Sequence, residues 1–254
     1  MERIKQILYK FKYLSKYSDK QLNTAKIITL RYDFARIFRI IINNTDNYVI
    51  KYILNIKHNI INNEYLIINN IKKSDHIVEI YEYLEDNRYI FYLMEFIDNN
   101  IIKNINNINI IKNIKNMILC LQNFHTNNII HLDIKKENFV YDSKLNIYKL
   151  IDFELSQKNT DEIFNMAHMF GNNVKYPDNF ITTGKLGFYI DIWSVGIMIY
   201  DIIYNNRSLN KKNIYFDKKF EYYNKLILFI LNNYNNLSCK DILEYIELNY
   251  KYYD

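Results

Sequence analysis

The feature that most limits how this 254-residue chain can fold is a change of hydrophobic period near residue 100. Before that point, runs rich in β-branched and aromatic residues recur at 26–32, 35–42, 47–54, 76–83 and 88–96. Asn43, Asn44 and Asp46, then Asp86 and Asn87, stand as turn formers between successive runs. Short runs of this kind, punctuated by Asn and Asp, read as antiparallel strands. One stretch breaks the pattern. In NIINNEYLIINNIKK (59–73), Ile60, Ile61, Ile67, Ile68 and Ile71 recur at helical spacing, with Glu64 on the same apolar face. From residue 108 onward the spacing is helical at 108–126, 191–204, 220–232 and 239–250, apart from a β-hairpin at 138–152 turning through Asp142 to Asn146. A run of strands followed by a run of helices, in a chain long enough to bury a sizeable core, predicts an α+β, two-lobed architecture: a small antiparallel-sheet lobe, then a helical lobe.

Charge and cysteine content narrow the setting. Residues 1–26 carry seven cations against Glu2 and Asp19, a local charge of +5 that equals the net charge of the whole chain. A basic amphipathic leader can touch a membrane, a nucleic acid or an acidic partner, but such a segment is more often a solvated strap. No nucleic-acid partner is expected. Cys120 and Cys239 lack any paired-cysteine or Cys/His spacing and fall in apolar helical patterns, so they read as reduced core thiols of a cytoplasmic protein. Asn and Lys interrupt every apolar run well short of the roughly 20 residues that span a bilayer, so no transmembrane segment is expected. The lysine-studded N-terminus offers no signal-peptide core. Abundant Ile, Asn, Lys and Tyr against four glycines and one proline reflect an AT-rich genome, such as that of a virus or parasite, and make a missing glycine weaker evidence here than elsewhere.

The chemistry concentrates in HLDIKKENFVYDSKLNIYKLIDFEL (131–155). His131-x-Asp133-x-Lys135-x-x-Asn138 is followed fourteen residues later by Asp152-Phe153. Upstream stands YVIK (48–51); downstream stand Pro177-Asp178 and, thirteen residues beyond that aspartate, DIWSVG (191–196). In order and spacing these segments resemble the catalytic loop, metal motif, strand lysine and buried helix start of eukaryotic-type protein kinases, over about residues 26 to 250. The resemblance implies a protein-kinase-like fold with a basic N-terminal extension at 1–25, an N-lobe and hinge at 26–97 and a C-lobe at 98–254. It also implies ATP and Mg²⁺ as cofactors and a protein substrate, with the chain acting as a monomer. Asp133 would accept the proton of the substrate hydroxyl and orient it, and Lys135 would approach the γ-phosphate. Asn138 and Asp152 offer the hard oxygens that Mg²⁺ prefers. Lys51 would hold the α/β-phosphates, positioned by Glu64, whose carboxylate among isoleucines needs a partner in any case. Ile37, Val49 and Val140 would flank the adenine, with Met94 behind it and Glu95, Phe96 and Ile97 as the hinge. Asn100 would reach the ribose, and His131, Phe153 and Ile68 would stack as an apolar column. Lys135, two residues after Asp133, resembles the serine/threonine class.

The chain also departs from that family. The phosphate-covering segment TLRYDFARIFRI (29–40) has no glycine; Leu30, Tyr32 and Ala35 fall at the three glycine positions, and Asp33 adds a negative charge. Glu154 stands where the metal motif ends in glycine. Leu132 replaces the arginine that receives a phosphate on the activation segment, which predicts no control through phosphorylation of Ser156 or Thr160. Asp178 is a shortened acid, and Asn236 stands where its arginine partner would be sought, so a buried ion pair is altered at both ends. Two alternatives to an active serine/threonine protein kinase follow. One is a pseudokinase scaffold, motivated by the glycine-free segment, Glu154 and Asp33. The other is a small-molecule phosphotransferase of related fold, opposed by Lys135, Pro177-Asp178 and Trp193-Ser194.

Overall fold

The computed structural model describes residues 1–32, 36–54, 63–98, 110–164, 175–204 and 214–250. It divides into two compact units, one of residues 1–73 with 78–98 and one of 74–77 with 99–254.

The first unit is a five-stranded antiparallel sheet: β1 (Lys26–Tyr32), β2 (Arg36–Ile42), β3 (Asp46–Leu54), β4 (Ile80–Glu85) and β5 (Tyr89–Glu95), in the order β1-β2-β3-β5-β4. Alternation along the strands gives the sheet two faces of different character. Phe38 and Ile40 of β2, Tyr48, Ile50 and Tyr52 of β3, and Phe91 and Leu93 of β5 are buried against the N-terminal segment. That segment comprises α1 (Glu2–Leu8), a 3₁₀ turn at Lys12–Leu14 and α2 (Asp19–Asn23), the last held by a Ser18–Gln21 capping box. Ile4, Ile7, Leu8, Phe11, Leu14, Leu22 and Ala25 supply its buried side, so the leader shares the core of the sheet, and Lys5, Lys10, Lys12, Lys16 and Lys20 are among the residues left exposed. Arg3 fixes it at one end through Asp86 (Nη2 to Oδ2, 2.7 Å) and stacks over Tyr89; Tyr13 stacks on Tyr81. The same unit carries α3 (Asn63–Asn70); residues 59–62 of the expected helix lie outside the described residues.

In the second unit, α4 (Ile110–His125) buries Ile111, Ile114, Met117, Ile118, Leu121 and Phe124, a stripe at helical spacing. It leads into a short ladder of β6 (Ile129–Ile130) with β9 (Gln157–Lys158), and inside that ladder lies the hairpin of β7 (Phe139–Asp142) and β8 (Ile147–Leu150). The fourth strand expected at 76–83 starts later because its first residues are used elsewhere: Leu150 N–H donates to the His76 carbonyl (2.8 Å), and Ile77 bridges to Leu150. α5 (Asp178–Thr183) ends on Gly184 in the left-handed conformation (φ 64°). α6 (Tyr189–Tyr204) is buried along most of its length. It approaches α7 (Glu221–Asn233) so closely at Gly196 that a Cβ there would lie 2.6 Å from Leu231 Cδ2. α8 (Cys239–Asn249), opened by a Ser238–Asp241 capping box, closes the described chain. Among the described residues no helix is long and apolar enough to cross a membrane.

Candidate active site

Strand register decides which first-unit side chains share a face. Ile37 pairs with Lys51, which pairs with Tyr92; Val49 pairs with Met94. Residues directly opposite in a ladder point the same way, so Ile37, Val49, Lys51 and Met94 all project from the sheet face opposite the N-terminal segment. Lys51 and Glu64 are both buried, and Lys51 Nζ donates to Glu64 Oε2 at 3.0 Å. The acid that the apolar face of α3 could not bury alone is thus matched by the strand lysine. Glu95 falls on the other face, where its Oε1 accepts from Glu79 N–H (2.7 Å) while its own N–H donates to the Glu79 carbonyl (3.0 Å). Ile97 follows β5 in a half-buried, irregular stretch. Leu30 sits at the register shift of the β1–β2 ladder, 52% exposed. Asp33, Ala35 and Asn100 lie outside the described residues.

In the second unit, Asp133 is the hub. Its Oδ2 accepts from Lys135 Nζ (2.5 Å) and from Asn138 Nδ2 (3.0 Å), and Asn138 Nδ2 also donates to the Asp133 carbonyl (2.8 Å). Two acceptors on one atom of the amide fix its orientation, so Oδ1 of Asn138 points away from Asp133. Asn138 ends a 3₁₀ turn and is tied to the metal-motif segment by Ile151 N–H donating to its carbonyl (3.0 Å). Asp152 holds a left-handed backbone (φ 70°), and Phe153, fully buried, stacks on Phe124 (5.3 Å) and meets the His131 ring edge-on (5.5 Å). Val140 is half-buried in β7, paired with Lys149.

The loop bearing Asp133 hangs from α6. Asp191, fully buried, accepts the N–H groups of His131 (Oδ2, 2.7 Å) and Leu132 (Oδ1, 2.9 Å), and its Oδ2 also contacts His125 Nε2 (2.9 Å). His125 Nδ1 in turn faces Cys239 Sγ at 3.6 Å. DIWSVG marked Asp191 in the sequence, but nothing in the spacing of His125 marked its part. Burial holds the His131 imidazole below its ordinary pKa. Its neutral form fits its contacts: Nδ1 accepts from Asp133 N–H (3.2 Å), and Nε2–H donates to the Ile151 carbonyl (3.1 Å). Leu132, at the position of the absent arginine, is buried with Ile130, Phe180, Leu186 and Ile190. Ser156 is fully buried, its hydroxyl on the His131 carbonyl (3.3 Å), whereas Thr160 is exposed. Asp178 and Asn236 are both exposed, so no buried ion pair is expected there; α5 is instead tied down by Asn179 Nδ2 donating to Asn235 Oδ1 (3.2 Å).

Comparison with known proteins agrees with this geometry. Residues 33–244 match the family model described as the protein kinase domain, and the chain belongs to that family. A probable serine/threonine-protein kinase of Dictyostelium discoideum is 27% identical over 217 residues, 63% of this chain and 46% of that protein. The carbon catabolite-derepressing protein kinase of Secale cereale is 29% identical over 148 residues, 55% of this chain and 29% of that protein. The chain thus spans less than half the length of these two curated relatives. Among solved structures, the Cydia pomonella granulovirus kinase PK-1 aligns with a TM-score of 0.66 at 17% identity, covering 89% of this chain and 94% of that one. The autoinhibited serine kinase domain of the giant muscle protein titin aligns with a TM-score of 0.66 at 18% identity, covering 90% and 81%. The fold is the α+β protein-kinase-like fold expected from the change of period.

Proposed function

We propose that the chain is an active serine/threonine protein kinase that transfers the γ-phosphoryl group of ATP to a protein hydroxyl, in the presence of Mg²⁺. The observation that carries this reading is the set of contacts on Asp133. Its carboxylate is oriented by Lys135 and Asn138 and reached by a loop hung from Asp191. A side chain held this way meets the first demand of phosphoryl transfer, which is alignment of the attacking oxygen. Asp133 orients the acceptor hydroxyl and takes up its proton, and Lys135 meets the transferred group. The donor set also suits the cation. Asn138 spends Nδ2 on Asp133, which frees the hard oxygen Oδ1 for a metal ligand, and Asp152 supplies a carboxylate. When bound, Mg²⁺ neutralises phosphate charge and ATP supplies the phosphoryl group. Lys51, fixed by Glu64, binds the α/β-phosphates; Ile37, Val49, Met94 and Val140 provide apolar surface for the adenine; Glu95 and Ile97 offer backbone polar groups.

The test is transfer of labelled γ-phosphate from ATP to a generic protein acceptor. Wild type should transfer, and Asp133→Asn should reduce the rate by about 10²-fold or more, the scale of a lost proton acceptor. Activity undiminished in Asp133→Asn would overturn the role given to that residue. Lys51→Met is a less clean probe: it leaves the Glu64 carboxylate, wholly buried, without its lysine. Breaking such a pair from one side costs about 3–5 kcal/mol, so its melting temperature must be read beside its activity.

A further inference from the structure

The carbonyl of Leu132, immediately before Asp133, has a partner that none of the motif residues supplies. Leu132 stands in the left-handed region (φ 65°), a conformation that disfavours a side chain with Cβ. It persists because both of its polar groups are held. Its N–H donates to Asp191 Oδ1 (2.9 Å), and its carbonyl accepts from the hydroxyl of Tyr176 (2.9 Å). Tyr176 is anchored in turn: the ring meets Phe180 edge-on (5.8 Å), and the carbonyl of the preceding Lys175 accepts from Ser194 Oγ (2.9 Å). Asp191 and Ser194 lie one turn apart on α6, so the Tyr176–Leu132 bond closes a ring running from α6 through the loop to the segment ahead of α5 and back to α6. The leucine side chain is buried in the same apolar cluster against which Tyr176 packs.

We propose that Tyr176 is a positioning residue: by donating its hydroxyl to the Leu132 carbonyl it sets the direction in which the backbone enters Asp133, so that the loop reaches its working geometry through internal contacts alone. The phenol is protonated at neutral pH in any case, and burial pushes its pKa further up, so the donor is permanently available. This inference rests on the kinase reading for its effect on rate, but its structural content stands apart from it.

Tyr176→Phe keeps the ring and its packing and removes only the donor. Leu186→Ala disturbs the same apolar cluster and leaves both the hydrogen bond and the Phe180 ring that anchors Tyr176. For each full-length variant, kcat and KM for ATP are measured with casein as acceptor, beside amide hydrogen exchange of residues 131–135 and the melting temperature. Tyr176→Phe should lower kcat about tenfold, the scale of a misdirected reacting group, with KM for ATP changed by less than about twofold. Exchange at 131–135 should be faster. Leu186→Ala should lower the melting temperature with kcat within about twofold of wild type. Equal loss of kcat in both variants would reduce Tyr176 to ordinary packing and overturn the proposal, as would unchanged exchange at 131–135 in Tyr176→Phe. If wild type transfers no phosphate, the kinase reading fails by itself, and the exchange comparison alone then decides for or against Tyr176.

Discussion

His131 shows how much a single buried side chain can settle. The charges of Asp191, Asp133 and Asp152 all favour the protonated ring, yet burial outweighs them and holds its pKa below the ordinary 6.5. The hydrogen bonds agree, since Nδ1 is used as an acceptor and would have none to offer once protonated. As pH falls through 6.5 the unfolded chain takes up a proton that the folded chain refuses, so the stabilisation is whole above 6.5 and is lost progressively below it. His131→Phe should therefore be less stable than wild type at neutral pH, having lost two hydrogen bonds, but should lose less on acidification. Denaturant unfolding at steps between pH 7 and about 5, above the range where ordinary carboxylates titrate, checks this. Parallel curves for the two proteins would show that another group is responsible. Burial also limits phosphorylation after Asp152: Ser156, buried with its hydroxyl on the His131 carbonyl, is closed to a modifying enzyme, and Thr160 is open but has no arginine at position 132 to receive its phosphate.

Among the elements, the N-terminal segment is the one whose role the sequence left most open. Ile4, Ile7, Leu8, Phe11 and Leu14 follow a helical period, and the cations between them gave the segment the look of a solvated strap. Both features hold at once, because the lysines are outside for the reason that the apolar stripe is inside, against Phe38, Ile40, Ile50 and Leu93. Phe11, 2% exposed, is central to this contact. Phe11→Ala should cost about 3–5 kcal/mol, the range for a large core aromatic reduced to alanine. Urea denaturation followed by circular dichroism measures it. A loss below about 1 kcal/mol, typical of surface changes, would mean the segment merely rests on the sheet. Other elements were legible to within a few residues because their periods were unmixed: β1, β2, β3 and β5, the hairpin of β7 and β8, and α4, α6, α7 and α8. Those left unread are short and have little periodicity of their own. α5 spans Asp178–Thr183, and the β6–β9 ladder pairs two residues with two across a long loop, a contact that no local pattern encodes.

For the molecule as a whole, the sequence carried the spacing of the candidate site residues but not the contacts that join them. The spacing of His131, Asp133, Lys135, Asn138 and Asp152 is readable because the turn that presents them is short and its separations rigid. That both protons of the Asn138 amide nitrogen serve Asp133, that His125 reaches Asp191, and that one among 25 tyrosines closes on Leu132 are tertiary facts without a local signal. What separates an active kinase from a scaffold of the same fold is whether the chain grips nucleotide without glycines between residues 29 and 40, and this is a property of the full molecule. A ligand that binds only the folded chain raises its stability by about 2.7 kcal/mol at a hundredfold excess over its dissociation constant. Thermal unfolding with increasing ATP and Mg²⁺ should therefore show a rise in melting temperature that needs high nucleotide, since Leu30 presents a bulky exposed side chain where a glycine would let backbone N–H groups approach phosphate. Asp152→Asn should weaken the rise obtained with Mg²⁺ while leaving that with ATP and EDTA nearly unchanged, because the carboxylate acts through the cation. Equal rises with and without Mg²⁺ would remove Asp152 from the metal set. No rise at millimolar nucleotide would remove nucleotide from the function altogether, leaving the buried Lys51–Glu64 pair and the Asp133 hub as supports of a binding module.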